Sequence, residues 1–458
     1  MLNRRKFLTG TAGFAVLGLS LGKAAAAALP GIENASMRGS INAADLGVQP
    51  GALDDQSKAF AKLLLQANDR DMPVFLPPGT YVVSNLSLPS RVRLTGVPGA
   101  SRIVYGGNGH LFMAEQAEHI EFSGLVFDGG NRWMGDYAQG LLDLRRVGHL
   151  VVDNCQISGS GKHGLSLEHA RGRIERSDIS GAADAGIYSV EAGALEISGN
   201  TVSDCGNGGI LVHRWQAAED GSLVSGNRVE RIQARSGGTG QNGNGINAFR
   251  AGNVVISGNI VSDCAFSAIR ANSASNLQMT GNTCLRSGET ALYSEFSFEG
   301  AIIGNNIVDG AANGISIVNF NEGGRMGVCQ GNIVRNLSTS GPYPADPPGF
   351  GVGISVEADT TVSGNVVENA PLYGMQIGWG PYMRNVVATG NIIRKAGTGI
   401  VVSVVEGAGT AVISDNVIDG AQNGAIIGQR WAEPVTGDLA SSGSAGYAHL
   451  TVERNHVS

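Results

Sequence analysis

One stretch, residues 197–212 with the sequence ISGNTVSDCGNGGILV, returns in recognisable form along most of the chain, and this recurrence limits the possible folds more than any other feature. It has two landmarks. The first is an Asn after a small turn residue, as in Gly199-Asn200, and the second is a Gly followed by alternating apolar residues, as in Gly209-Ile210-Leu211-Val212. The first landmark is read at Asn154, Ser177, Asn200, Asn227, Asn259, Asn282, Asn305, Asn332, Asn365, Asn391, Asn416 and Asn455. Four of those intervals are 23 residues, the shortest, and the longest is 39, so insertions occur at defined corners. A unit of this length without helical periodicity holds about three short strands and their turns. The Leu-x-x-Leu-x-Leu frame of a leucine-rich repeat is absent.

The second landmark sets the strand phase. In Gly186-Ile187-Tyr188-Ser189, Gly209-Ile210-Leu211-Val212, Gly314-Ile315-Ser316-Ile317 and Gly353-Ile354-Ser355-Val356, the first and third residues after Gly are mostly apolar and point inward. The second and fourth point outward and vary. A turn Asn tolerates the left-handed region and can hydrogen-bond its own copies in adjacent coils, about 4.8 Å away. The expected fold is an all-β solenoid, a single-stranded parallel β-helix with a dry interior. Composition agrees: 69 Gly without a Gly-X-Y period, 42% hydrophobic and 16% charged residues suit one continuous stack better than three globular domains.

The N-terminus reads Asn3-Arg4-Arg5-Lys6-Phe7-Leu8, then a modestly apolar run and an Ala-rich end before Leu29-Pro30. This resembles a twin-arginine export signal, with an ordinary secretory signal as the alternative. The segment assigned to it is residues 1–28, and the expected partner is the twin-arginine translocation machinery. The destination is then the periplasm or the outside of a bacterial cell. The apolar run is too short and Gly-rich for a stable membrane span. Removing Arg4, Arg5, Lys6 and Lys23 takes the net charge from −7 to about −11, which disfavours nucleic acid as a partner.

Residues 29–99 form a cap and the first coils, and residues 100–458 the repeat domain. Within the cap, Asp54-Asp55-Gln56-Ser57-Lys58-Ala59-Phe60, Val74-Phe75-Leu76-Pro77-Pro78-Gly79-Thr80-Tyr81 and Leu94-Thr95-Gly96 resemble the N-terminal region of pectate-lyase-type proteins. Asp54 or Asp55 can cap a short helix with Ala59, Phe60, Leu63, Leu64 and Ala67 on its apolar face. Such a helix covers the otherwise open end of a stack. From about Gly39 onward the chain resembles the pectin-lyase-like superfamily of right-handed β-helices, and with its export signal the twin-arginine-translocated repeat proteins. That resemblance implies a right-handed coil but no particular reaction, because catalytic residues sit differently in each family on this fold. The Gly-His-Gly motif with paired Asp of polygalacturonases and the Asp-Pro-His-Glu of alginate epimerases are both missing.

Cys155, Cys205, Cys264, Cys284 and Cys329 invite a disulfide reading in an exported chain. The register opposes it. Cys205 and Cys264 occupy equivalent places with the Asn227 coil between them, and two coil steps of about 9.6 Å exceed the roughly 7 Å reach of a disulfide. The five are read as buried members of the apolar stack.

Any chemistry belongs on outward positions of neighbouring coils, where residues distant in sequence stand side by side. Those positions are most polar and ionisable over the middle coils: Tyr188, His213, Asn247, Arg270, Asn272, Tyr293 and Glu295. Arg270 suits neutralisation of a substrate carboxylate, His213 or Tyr293 a proton transfer, and Glu295 the orientation of one of them. No cofactor is evident, although Glu295 with Asn272 suits a share in a Ca²⁺ site. The same residues equally fit an ordinary polar sheet face with Arg270 and Glu295 as an ion pair.

Long insertions at residues 233–244 and 338–350 leave one corner, while Arg214-Trp215, Phe320-Asn321-Glu322 and the Trp379 to Tyr382 turn extend the opposite one. Loops on both sides of one sheet wall a cleft, in which Trp215, Trp379 and Tyr382 are placed to stack on sugar rings. Residues 129–139, with Trp133 and Tyr137, offer a further wall. The expectation is an exported carbohydrate-active protein that binds or modifies an anionic, uronic-acid-containing polysaccharide, by lyase or epimerase chemistry if it is an enzyme. The alternative is a non-catalytic polysaccharide-binding or cell-surface structural protein, and a trimeric tailspike-like protein is a third reading that the export signal opposes.

Overall fold

From the coil of Asn200 onward, a left-handed residue followed by an Asn makes one corner of each coil. The computed structural model describes residues 39–52, 54–318 and 323–458; the signal segment and the Phe320-Asn321-Glu322 corner lie outside the described residues. The chain coils into a right-handed parallel β-helix of about 13 turns. Each full turn gives one strand to each of three parallel sheets. In the first sheet, strand Gly208–Glu219 lies between Ala185–Val190 and Asn244–Gly252. In the second, Leu223–Ser225 lies between Glu196–Ser198 and Val255–Ser257. In the third, Arg228–Ile232 lies between Thr201–Ser203 and Ile260–Cys264.

The corner between second and third sheets corrects the sequence register at two places. The left-handed residue is the one before the ladder Asn: Gly199, Gly226, Gly258 and Gly281 have φ near +64°, and Asn305 replaces Gly there with φ 56°. The ladder member in that coil is therefore Asn306, not Asn305, and Cys155 rather than Asn154 stands at the corresponding place below Ser177. From Asn227 to Asn455 each ladder Asn presents Oδ1 to both the backbone N–H and the Nδ2 of the Asn one turn below, at 2.9–3.1 Å. The second Nδ2 proton is used as well, as in Asn259 Nδ2 to Val224 O at 3.0 Å. Every polar atom of the amide is thus satisfied where burial would penalise an orphan.

The inward phase read from the second landmark holds. Ile187, Ile210, Ile246, Ile269, Leu292, Ile315, Ile354, Met375, Ile400 and Ile426 form one inner column with no solvent exposure. The Gly before each has a packing reason: a Cβ on Gly209 would lie 2.2 Å from the carbonyl oxygen of Gly245 and 2.6 Å from Val229. Ala268, Ala291 and Ala425 take the place in three coils. All five cysteines are free and buried, and Ile232, paired with Cys264, occupies the coil between it and Cys205. Burial pushes the thiols of Cys155, Cys205, Cys264 and Cys329 up to about 12, so they behave as apolar filler.

At the N-terminal end helix Ser57–Asp69 buries Phe60, Leu63, Leu64 and Ala67 over the first coils, with the Phe60 ring 6.0 Å from that of Phe112. Of the two expected capping acids it is Asp55 that accepts, from the N–H of Ser57 at 2.8 Å. At the other end the first sheet gains an antiparallel strand, Glu433–Asp438 against Ile426–Arg430. Asp438 receives the N–H groups of Ala425 and Ile426, and Leu439 packs inward. The Gly/Ser-rich excursion after Trp431 is therefore the cover of that end of the first sheet.

Candidate functional site

The outer face of the first sheet carries two cavities side by side, each between a long loop on one edge and an aromatic residue on the other. The first, of about 400 Å³, lies between Thr239, Gly240 and Gln241 of the 233–244 loop and Phe296, over His213, Asn247, Phe249, Arg270 and Asn272. The second, of about 410 Å³, lies between residues 343–350 and Trp379, over Tyr293, Ser316, Ser355, Gln376 and Glu357. Both floors are built by the outward positions of consecutive coils. Leu211, Asn247, Arg270, Tyr293, Ser316, Ser355 and Gln376 form one column, and His213, Phe249, Asn272 and Glu295 run beside it.

Arg270 is held by several partners on this face. Its Nε donates to Glu295 Oε1 at 2.6 Å, its Nη2 is also 2.6 Å from that oxygen, and its Nη1 is 3.7 Å from Glu289 Oε2. Its guanidinium carbon sits 5.1 Å from the centroid of Tyr293. Burial works against its charge, and Glu295 and Glu289 outweigh it, so its pKa is raised and the guanidinium stays charged. The charge expected to face a substrate carboxylate is thus already matched by two buried carboxylates, and Glu295 is bound to Arg270 rather than orienting a base. Glu295 also accepts from Asn272 Nδ2 at 3.0 Å. Among the described residues no group of three or more His, Cys, Asp or Glu is arranged to hold a metal.

Glu289 and Tyr343 were not legible as site residues. Glu289 is buried at the corner leading into the first sheet, where the outward pattern does not apply, and it accepts from Ser267 at 3.2 Å and from the Tyr343 hydroxyl at 2.5 Å. Tyr343 brings the 338–350 loop onto this corner, its ring between Phe266 at 6.2 Å and Phe350 at 5.5 Å. An aromatic residue in a long Pro-rich insertion was the only sequence signal for it. The backbone at Gly240 has φ +127°, which L side chains rarely adopt, and a Cβ there would also fall 1.5 Å from Arg270 Nη1 and displace the guanidinium.

His213 lies between Tyr188 and Phe249, with ring centroids 5.4 and 5.5 Å away. Burial, and secondarily the nearby His163, pulls its pKa down to about 4, so its imidazole is neutral near pH 7. Burial and the Glu295 carboxylate push the Tyr293 phenol well above its usual range, which keeps it protonated. Tyr293 lines the second cavity while His213 and Arg270 line the first. Tyr188 lines neither, being stacked on His163 at 4.7 Å. Trp379 is a cavity wall as expected, but Trp215 and Tyr382 line neither cavity. Trp215 packs on His169 at the far corner and is 53% exposed. Tyr137 turns instead onto His110, its hydroxyl 3.0 Å from Nδ1.

Three residues that line the first cavity each bury one polar atom without a hydrogen-bond partner: His213 Nε2, Asn247 Oδ1 and Arg270 Nη1. Such atoms cost stability where they stand and are uncommon in folded proteins.

Among solved structures, the N-terminal fragment of bacteriophage phi29 gene product 12 superposes with a TM-score of 0.50 at 16% identity, over 84% of this chain and 68% of that one. The pre-mature form of the same gene product gives 0.55 at 14% identity over 85% of this chain, which spans 55% of that longer one. The catalytic unit of a thermostable α-1,3-glucanase from Streptomyces thermodiastaticus strain HF3-3 gives 0.49 at 14% identity, over 92% and 69% of the two chains. At these identities the likeness is one of fold. No curated protein sequence matches the chain. Two overlapping segments, residues 140–323 and 217–383, match the family model described as the right handed beta helix region, and together they take in more than half of the sequence: the chain belongs to that family.

Proposed function

We propose that this is an exported carbohydrate-active β-helix protein that holds a polysaccharide along the outer face of the first sheet. The observation that carries this reading is the pair of adjoining cavities, walled by aromatic side chains and floored by amides and hydroxyls. Sugar rings present apolar faces that stack on aromatic rings, and hydroxyls that exchange hydrogen bonds with Asn, Gln and Ser. From the His213 coil to the Gln376 coil the register advances six turns, about 29 Å, enough for several sugar units. The Arg4-Arg5 motif supports export by the twin-arginine machinery to the periplasm or beyond.

The test is binding to a panel of neutral and acidic polysaccharides, repeated with Ser355→Trp, which fills the second cavity. Binding to a polysaccharide that this substitution abolishes is the expected result; no binding, or binding indifferent to the block, removes the reading.

Modification of a uronic-acid polymer by lyase or epimerase chemistry is the second reading, favoured by one observation. His213, a neutral imidazole, and Arg270, a cation, line one cavity, and Tyr293 lines the adjoining one, so a uronate lying across both would have a proton acceptor, a positive charge and a phenol beside it. Release of unsaturated uronate, or a change in C5 configuration, abolished by His213→Gln would support it. Polymer binding without either product would leave a binding protein.

A further inference from the structure

We propose that the cavity beneath the 338–350 loop takes an uncharged sugar unit and excludes uronate, so that the polysaccharide held on this face is not a homopolymer of uronic acid. This rests on the polysaccharide reading above and bears against its uronate form. Three register partners on successive turns, Ser316, Ser355 and Gln376, lie on the floor of this cavity. Among the described residues none of their side chains has a hydrogen-bond partner, and none of their polar atoms is sealed from solvent. The column therefore offers free donors and acceptors about 4.8 Å apart.

The charges around the cavity are one-sided. Asp346 and Glu357 line it, and among its described lining residues there is no Lys, Arg or His. Its two tyrosines bring no charge: burial, with Glu295 near Tyr293 and the Glu289 bond on Tyr343, pushes both phenols up and keeps them protonated. Arg270 lies against Tyr293, its guanidinium carbon 5.1 Å from the ring centroid, and Glu295 and Glu289 already match its charge. A uronate set here would exchange water for the apolar surface of Pro347, Phe350 and Trp379, with no cation to pair it and Asp346 on the same loop. Coulomb repulsion acts without contact, so it holds for any pose within the cavity. A neutral hexose adds no charge. Its ring face has Trp379 and Phe350 to cover, and its hydroxyls exchange hydrogen bonds with Ser316, Ser355 and Gln376. The first cavity differs in kind, since Arg270 and His213 line it.

Glucose, galactose and mannose, each against its own uronate, isolate the C6 carboxylate from any linkage. The full mature chain is titrated while NMR follows the indole N–H of Trp379, assigned with Trp379→Phe, which reports on the second cavity because Trp379 does not line the first. Each neutral sugar is expected to bind at least about tenfold more tightly than its uronate. Asp346→Asn should raise uronate affinity roughly two- to fivefold, the range of one exposed charge pair. Gln376→Lys supplies the missing cation and should bring uronate at least to the affinity of the neutral sugar. Unchanged melting temperatures show that the variants are folded, and Ser355→Lys serves if Gln376→Lys is not. Equal or tighter binding of the uronates by the parent chain, or binding of a polyuronate that Ser355→Trp blocks, overturns the uncharged unit while leaving a glycan groove. Failure of every sugar and of every polysaccharide in the panel overturns both.

Discussion

A single side chain type, the buried Asn at the corner between second and third sheets, satisfies four hydrogen-bonding functions at once in the coils from Asn227 to Asn416. Asn259 is representative: its Oδ1 serves two donors of Asn227, and its own Nδ2 serves Asn282 Oδ1 and Val224 O. Asn259→Ala orphans both Asn227 donors and should cost roughly 2–5 kcal/mol, read from urea denaturation, because each unsatisfied buried group costs about 1–3 kcal/mol. Asn305 is the contrasting case. It is exposed, carries φ 56° and is not in the ladder, so Asn305→Gly should change stability by no more than about 0.5 kcal/mol. If the two substitutions proved equally costly, the corrected register would be wrong. The repeat made an Asn at each corner legible, but choosing between Asn305 and Asn306 needs to know which of two neighbours is left-handed.

At the scale of the element, the first sheet puts neutral, poorly solvated groups on a face that patterning alone would assign to solvent. His213 follows from this. Its pKa is about 4 folded against about 6.5 unfolded, so between those values the unfolded chain binds the extra proton. The stability supplied by the neutral imidazole is therefore complete above about pH 6.5 and is lost as pH falls toward 4, by up to about 3 kcal/mol. Measured stability of His213→Gln against pH should be flatter across that window than that of the parent chain. The loop over this face turns at Gly240, where φ is +127° and a side chain would displace the Arg270 guanidinium. Gly240→Ala should cost roughly 1–3 kcal/mol through its φ of +127° and weaken glycan binding. Retained affinity in a calorimetric titration would separate the loop from the site.

For the whole molecule, stacking makes each turn depend mainly on its two neighbours, so insertions at one corner need not disturb the register beyond it. Replacing the 338–350 insertion with a short turn should keep the far-ultraviolet circular dichroism of the parent, lower the melting temperature modestly because Glu289 loses Tyr343, and abolish glycan binding at the second cavity. Period, landmarks and alternation by themselves determined the coil, its inner column and the sheet that bears the loops, since these depend on local spacing and the two-residue pleat. They also placed His213, Asn247, Arg270, Asn272, Tyr293 and Glu295 on one face. Only the tertiary structure decided what those residues are to one another. Glu289 enters from a corner and Tyr343 from an insertion, and the contacts of Glu289 with Arg270 and of Tyr343 with Glu289 depend on where loop and corner meet in space, which no repeat encodes. The same packing leaves Tyr188, Trp215 and Tyr382 off the cavities and Arg270 with its charge already matched. A periodic sequence specifies the direction of each side chain, but its partner is specified only by the loops that interrupt the period.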